Sequence, residues 1–181
     1  LALHTSTPIN VTLVASSTPV WMLLIGRIFF EATIQPRQAT GALMSICGVL
    51  LVLSRGSWDT LMQVRLVAGD AYILVAAAVW AYYSWMLSEH GKEPASIRSD
   101  WAAFLMAQIV FGLGWSALLA AGEWTLTDAH IQWSWQLAAA LLFVSLGPAL
   151  LAYRCWGAGV RLAGPSVAGF FSNLTPLFAA L

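Results

Sequence analysis

The chain has 181 residues, 60% of them hydrophobic and 9% charged, with a mean hydropathy of +0.77, whereas a water-soluble domain carries roughly a quarter of its residues as charges. Eight Lys and Arg balance eight Asp and Glu, so no strongly basic or acidic face points to nucleic acid or an anionic surface. Two lone cysteines in apolar runs, Cys47 and Cys155, make neither a disulfide framework nor a zinc site, and the composition predicts an all-α polytopic membrane protein with the lipid bilayer as its solvent and no metal or cofactor.

The opening LALHTSTPIN lacks the basic start, apolar core and small-residue cleavage site of a signal peptide and reads as the tail of an earlier segment. About 20 apolar helical residues cross a bilayer core, and six stretches approach that length. In the first, Ile9–Phe30, Ser16, Ser17 and Thr18 precede Pro19. A proline removes one helical hydrogen bond and kinks the helix, freeing a carbonyl that must find a partner or line a wet cavity. Pro19 is therefore read as a hinge. Ser16 and Thr18 are cavity candidates, with back-bonding to their own helix as the alternative, and Trp21 lies beside them. The second stretch, Gln38–Ser54, has 17 residues, the low limit for a span, and contains the small residues Gly41, Ser45 and Gly48.

The third stretch, Gly69–Ser88, places Trp80, Tyr82 and Tyr83 near mid-span, with Trp80 and Tyr83 three residues apart on one face. Their rings suit a flat apolar or cationic ligand. The fourth, Trp101–Ala121, holds one amide at depth, Gln108, either helix glue or part of a site, and the small pair Gly112 and Ser116. The connection Glu123–Trp135 has three tryptophans and no Lys or Arg, the pattern of an outer interface. Trp85, Trp101 and Trp156 read as anchors at the inner boundary, and Arg154, ending the fifth stretch Gln136–Gly157, reads as a snorkelling cation.

The sixth stretch, Ser166–Leu181, carries Ser172, Asn173 and Thr175 around Pro176, a second hinge candidate, with Phe170 nearby. Its 16 residues would reach about 24 Å of a core roughly 30 Å thick, so it is expected to continue in a longer protein. Arg27, Arg37, Lys92, Arg98, Arg154 and Arg161 fall on one side of the predicted spans, and only Arg55 and Arg65 on the other. The first side is the expected cytoplasmic one.

Setting Pro176 over Pro19 superposes Gly164–Leu181 on Thr7–Leu24 without a gap. Pro165 then falls on Pro8, Thr175 on Thr18, Gly169 on Thr12, Ser172 on Ala15 and Asn173 on Ser16. Steps of three, one and three keep each set of small or polar residues on one helix face. The offset covers five spans, an odd number, so the second copy enters the membrane from the opposite side. Such an inverted repeat is recurrent in secondary transporters, whose binding sites lie near the midplane between the halves. On this count a repeat has five helices and the complete protein ten, of which about six are visible.

The stretch TPVWMLLIGRIFFEATIQPRQATGALMSICGVLLVL resembles the end of an EamA-type repeat of the drug/metabolite transporter superfamily in its central Pro and in Glu31, Gln38, Gly41, Gly48 and Val49. GDAYILVAAAVWAYYSWML resembles the start of the second repeat, and RLAGPSVAGFFSNLTPLFAAL its fourth helix. The resemblance implies a first repeat ending over residues 1–68 and a second over 69–181. It also implies a bacterial inner-membrane carrier exporting small metabolites, amino acids and among them aromatic ones.

The substrate-cavity candidates are Trp80, Tyr83, Asn173, Ser16, Thr18, Thr175, Ser172 and Gln108. All eight carboxylates fall at span ends or in connections, and His4 reads as interfacial, so the visible helices offer no proton-coupling group at depth. This favours a facilitator, or a coupling group elsewhere in the protein. The rival readings are a structural or partner-binding membrane subunit and a membrane-embedded enzyme. The enzyme would need clustered His, Asp, Glu or Cys at one depth, and none is visible.

Overall fold

A computed structural model of the chain describes residues 8–54, 56–57, 59, 62, 67–88, 100–126 and 131–175. His4, Pro176 and the connections carrying Arg55, Arg65, Glu89, Lys92, Glu93, Arg98 and Asp128 lie outside the described residues. Every regular element among the described residues is helical. In chain order these are α1 (Pro8–Ala15), α2 (Thr18–Phe29), α3 (Pro36–Leu53), α4 (Ala68–Met86), α5 (Trp101–Leu126), α6 (Trp135–Val144), a π-helical segment (Ser145–Ala152), α7 (Tyr153–Ala163) and α8 (Pro165–Ser172).

Among the described residues, three helical runs are long and apolar enough to cross a membrane: Asn10–Phe29, Trp101–Leu126 and Trp135–Ala163. The shorter apolar helix Pro36–Val52 matches the marginal second stretch. Helix α4 has 19 residues, but Asp70, Ser84 and its Trp and Tyr residues dilute its hydropathy, so length alone qualifies it. With no strand among the described residues to offer another way of satisfying backbone groups in lipid, the chain is an all-α polytopic membrane protein.

One compact unit comprises residues 1–91 and 156–181. Its core is Met22 and Ile25 of α2 against Ala81 and Trp85 of α4. Lipid tails are as apolar as these side chains, so close packing and interhelical hydrogen bonds, rather than escape from water, hold such helices together. Both operate here. The Trp85 indole Nε1 donates to the Met22 carbonyl at 2.7 Å, and the ring stacks on Phe30 with centroids 5.5 Å apart. Gly26 makes room for it, because a Cβ there would lie 2.5 Å from Trp85 Cε2. Trp85 is 4% exposed, so its predicted place in the interfacial belt is corrected: a buried indole needs an acceptor, and Gly26 lets it reach one.

The helix starts in this unit have identifiable causes. Pro36 opens α3 where its missing N–H is harmless, and Gln38 Oε1 accepts from the Gln35 N–H at 3.0 Å. At α4, Asp70 Oδ2 accepts from the Val67 N–H at 2.8 Å and from Asn10 Nδ2 at 3.2 Å. The second bond ties the first turns of α1 and α4 together, so these two helices start at the same end of the unit.

The other unit comprises residues 92–155. Helix α5 has 26 residues, about 39 Å at the helical rise, more than enough for the bilayer core. Leu105 is its one buried residue, and side chains such as Phe111 and Leu119 are 74% and 73% exposed, a surface suited to lipid. Ser134 Oγ caps α6 by accepting from the Leu137 N–H at 3.1 Å. The helix then widens over Ser145–Ala152, around Pro148. The proline has no N–H and its ring clashes with the preceding turn, which a wider turn relieves. Arg154 stacks over Trp101 with its guanidinium carbon 5.2 Å from the ring centroid, a cation–π pair that occupies the predicted snorkelling cation.

Candidate functional site

The chain around Pro19 does not bend within one helix. Helix α1 ends at Ala15, Ser16 and Ser17 form a turn, and α2 starts at Thr18 with Pro19 in its first turn. The predicted kink is thus a break, and Pro19 sits where its missing N–H costs little. A break inside a span leaves carbonyls without helical partners, and each has been found another. Ser16 Oγ donates to the Leu13 carbonyl at 2.5 Å, Ser17 Oγ to Val14 at 2.7 Å and Thr18 Oγ1 to Ala15 at 2.6 Å. The Thr18 hydroxyl takes the carbonyl that the residue at position 19 would have capped had it carried an N–H. The Ser16 carbonyl accepts from Asn173 Nδ2 at 3.1 Å.

That last bond joins residues 157 apart, the offset of the predicted repeat. Helices α1 and α8 both have eight residues and occupy matched positions. The Ser16 N–H returns to Leu13 at 3.2 Å and the Ser17 N–H to Val14 at 3.1 Å. The matched Asn173 N–H returns to Phe170 at 3.2 Å and the Leu174 N–H to Phe171 at 3.1 Å. Helical backbone resumes at Thr175 as it does at Thr18. Two breaks of the same register therefore face each other, with Asn173 of one bonded to Ser16 of the other. Close approach is possible because Gly169 lies against α2, where an added Cβ would come within 2.7 Å of Met22 Cγ.

Asn173 Nδ2 also donates to Ser45 Oγ of α3 at 2.8 Å, so one amide ties three helices. Asn173 is 6% exposed and lies at the edge of a cavity of about 320 Å³ whose lining includes Ser45, Gly48, Val49, Val52, Phe170 and Leu174.

The predicted aromatic pair forms a second cluster. Trp80 and Tyr83 have ring centroids 5.4 Å apart, and Trp80 meets Trp156 at 5.2 Å. Trp156 Nε1 donates to Ser84 Oγ at 3.0 Å, and Ser84 donates to the Trp80 carbonyl at 2.8 Å. Trp156, predicted as an anchor, is instead half-buried and hydrogen-bonded in this cluster.

Of the predicted cavity residues, Ser16, Thr18 and Asn173 meet at the breaks. Ser172 is half-buried and Thr175 exposed on the following turn. Trp80 and Tyr83 meet in the aromatic cluster, and Gln108 is half-buried on α5 in the other unit. Two participants were missed by sequence reasoning. Ser45 was read only as a small packing residue, although a serine on the same face as two glycines was a signal. Asp70 does fall at a span end, as predicted, yet is 2% exposed and bonded to Asn10, a pairing no local pattern announces.

No family model matches the chain. No solved structure matches it. The chain is 23% identical over 178 residues, 98% of its length, to YyaM of Bacillus subtilis, named an uncharacterized transporter. It is 25% identical over 185 residues to an uncharacterized transporter of Archaeoglobus fulgidus. It is also 21% identical over 180 residues, 99% of its length, to the aromatic amino acid exporter YddG of Ancylobacter novellus. The chain spans 56% to 59% of the length of these relatives. Over nearly its whole length, then, this membrane chain is similar to proteins named as transporters.

Proposed function

We propose that the chain is the central part of an EamA-type carrier of the drug/metabolite transporter superfamily that exports small metabolites by alternating access between two inverted repeats. The observation that carries this reading is the bond from Asn173 to Ser16 between two helix breaks of one register, 157 residues apart. Broken helices facing each other across a repeat axis are where secondary transporters build midplane sites, because backbone groups released from helical pairing are tolerated there. The repeats divide near residue 68, the side bearing Arg27, Arg37, Arg154 and Arg161 faces the cytoplasm, and the protein resides in the bacterial inner membrane.

Amino acids, aromatic ones included, are the proposed substrates. Support comes from the Trp80, Tyr83 and Trp156 cluster, whose ring faces suit stacking and cation–π contact, and from the similarity to a relative named an aromatic amino acid exporter. Substrate passage past the breaks would exchange partners at Ser16, Thr18, Ser172, Asn173 and Thr175. The break before Pro19 and the matched one at Asn173 and Leu174 would supply the hinges.

The test is flux of labelled amino acids into proteoliposomes holding the full-length protein, with and without a pH gradient. Saturable, substrate-dependent flux is expected, and flux that ignores the gradient marks a facilitator. No substrate-dependent flux from a correctly folded preparation would sink the reading and leave a structural membrane subunit.

A further inference from the structure

We infer that the hydrogen bond from Asn10 to Asp70 is a latch on α1, a half-helix that swings about the Ser16–Ser17 turn, which makes Asp70 a positioning residue for that motion. The inference deepens the alternating-access reading and rests on it for the purpose of the movement. It starts from the unequal ways in which α1 and α2 meet α4. Helix α2 is clamped: Met22 and Ala81 are fully buried in the shared core, the Trp85 indole bonds the Met22 carbonyl, and the same indole fills the space that Gly26 leaves. Helix α1 lies on α4 through Asn10 and Val14, buried residues four apart on one face.

The joint between α1 and α2 is built to turn without coming apart. The hydroxyls of Ser16, Ser17 and Thr18 hold the carbonyls of Leu13, Val14 and Ala15, partners near enough in the chain to stay together as the joint rotates. Asn173 pins the Ser16 carbonyl from α8, so the joint itself stays in place. The far end of α1, about 9 Å away at the helical rise, is held by Asn10 Nδ2 donating to Asp70 Oδ2 at 3.2 Å. Asp70 Oδ2 also accepts from the Val67 N–H at 2.8 Å, which keeps the acceptor on the first turn of α4 whichever way α1 moves. A hydrogen bond to a carboxylate is stronger than a neutral one and is lost once its partners part by more than about half an ångström. Such a bond gives α1 a distinct closed position.

Thiol accessibility tests the latch in the full-length protein, with Cys47, Cys155 and any other cysteine replaced by serine. Val14→Cys reports on the contact of α1 with α4, and Ile25→Cys on that of α2 with α4; the two positions are 8% and 7% exposed. Each is labelled in proteoliposomes with a membrane-impermeant maleimide. Asn10→Leu should speed labelling at Val14→Cys roughly tenfold or more, the worth of a lost hydrogen bond to a charged group, and leave Ile25→Cys unchanged. Exchanging the pair, Asn10→Asp with Asp70→Asn, rebuilds the bond with donor and acceptor reversed and should bring labelling back to within about threefold of the starting rate. Unchanged labelling at Val14→Cys in Asn10→Leu, or an equal rise at Ile25→Cys, would overturn the latch, as would an exchanged pair that labels as fast as Asn10→Leu. Amino-acid flux in the same liposomes keeps the two readings apart: latch-dependent labelling without flux counts against transport alone, and flux with latch-independent labelling counts against the latch alone.

Discussion

Replacing Asn173 separates a donor role from simple space filling. In the wild type its amide gives one hydrogen bond to the Ser16 carbonyl at 3.1 Å and one to Ser45 Oγ at 2.8 Å. Asn173→Ala leaves that carbonyl without its partner at a residue 4% exposed, which costs about 1–3 kcal/mol. Ser45 can turn its hydroxyl to its own helix, so losing that bond adds at most about 1 kcal/mol, near the average measured between membrane helices. The expected loss is therefore roughly 1–4 kcal/mol of stability. Asn173→Asp has nearly the same shape but, when ionised, presents only acceptors, so a carboxylate oxygen faces the Ser16 carbonyl. It should be worse than alanine although it fills the space better. Unfolding of the full-length protein in mixed detergent micelles measures the first quantity, and transport per folded molecule in proteoliposomes the second. Both variants should lose transport by more than they lose abundance. Aspartate as stable and active as asparagine would refute the donor argument, and equal losses of transport and abundance would reduce Asn173 to packing.

At the α2–α4 contact, Gly26→Ala pushes Trp85 off the Met22 carbonyl and should cost about 2–4 kcal/mol, an overpacking term plus a lost hydrogen bond; combined with Trp85→Leu the two losses should be less than additive by at least about 1 kcal/mol in the same unfolding assay, and full additivity would contradict the contact. Asp70→Ala strips the acceptor from both Asn10 and the Val67 N–H and should cost about 1–3 kcal/mol, whereas Asp70→Asn keeps a carbonyl oxygen in place and should cost less; the order of their melting temperatures checks this. Trp80→Ala should lower transport of aromatic amino acids more than of aliphatic ones at equal abundance, read from paired flux measurements, and a uniform drop would remove the ring from substrate recognition.

Much of the site was written into short-range pattern. Pro8 and Pro165 open two helices, and the polar triplet before Pro19 marks where the chain can leave helical geometry, because hydroxyls beside a proline can take over freed carbonyls. The local likeness of the two segments was legible for the same reason, since it rests on spacing within eighteen residues of each. What the spacing left open was whether Asn173 lines the substrate cavity or bridges helices, and the structure shows the bridge, through Nδ2 to Ser16 and Ser45.

Contacts between distant residues were not legible. A tryptophan near a span end serves the lipid interface or a buried acceptor equally well. The choice at Trp85 was decided by Gly26 on another helix, and at Trp156 by Ser84, each separated from its partner by dozens of residues with no pattern between them. The widened turn at Pro148 is a different kind of miss, because the proline was visible but a single proline inside an apolar run does not say whether the helix breaks, bends or widens. At Pro19 three hydroxyls are at hand to take the released carbonyls and the helix breaks. At Pro148 the neighbouring hydroxyl of Ser145 is turned back to Leu141 at 2.7 Å, and the helix widens instead. The supply of local donors thus accounts for the different outcomes at the two prolines, and placing hydroxyls at positions 146 and 147 should move Pro148 from widening toward a break.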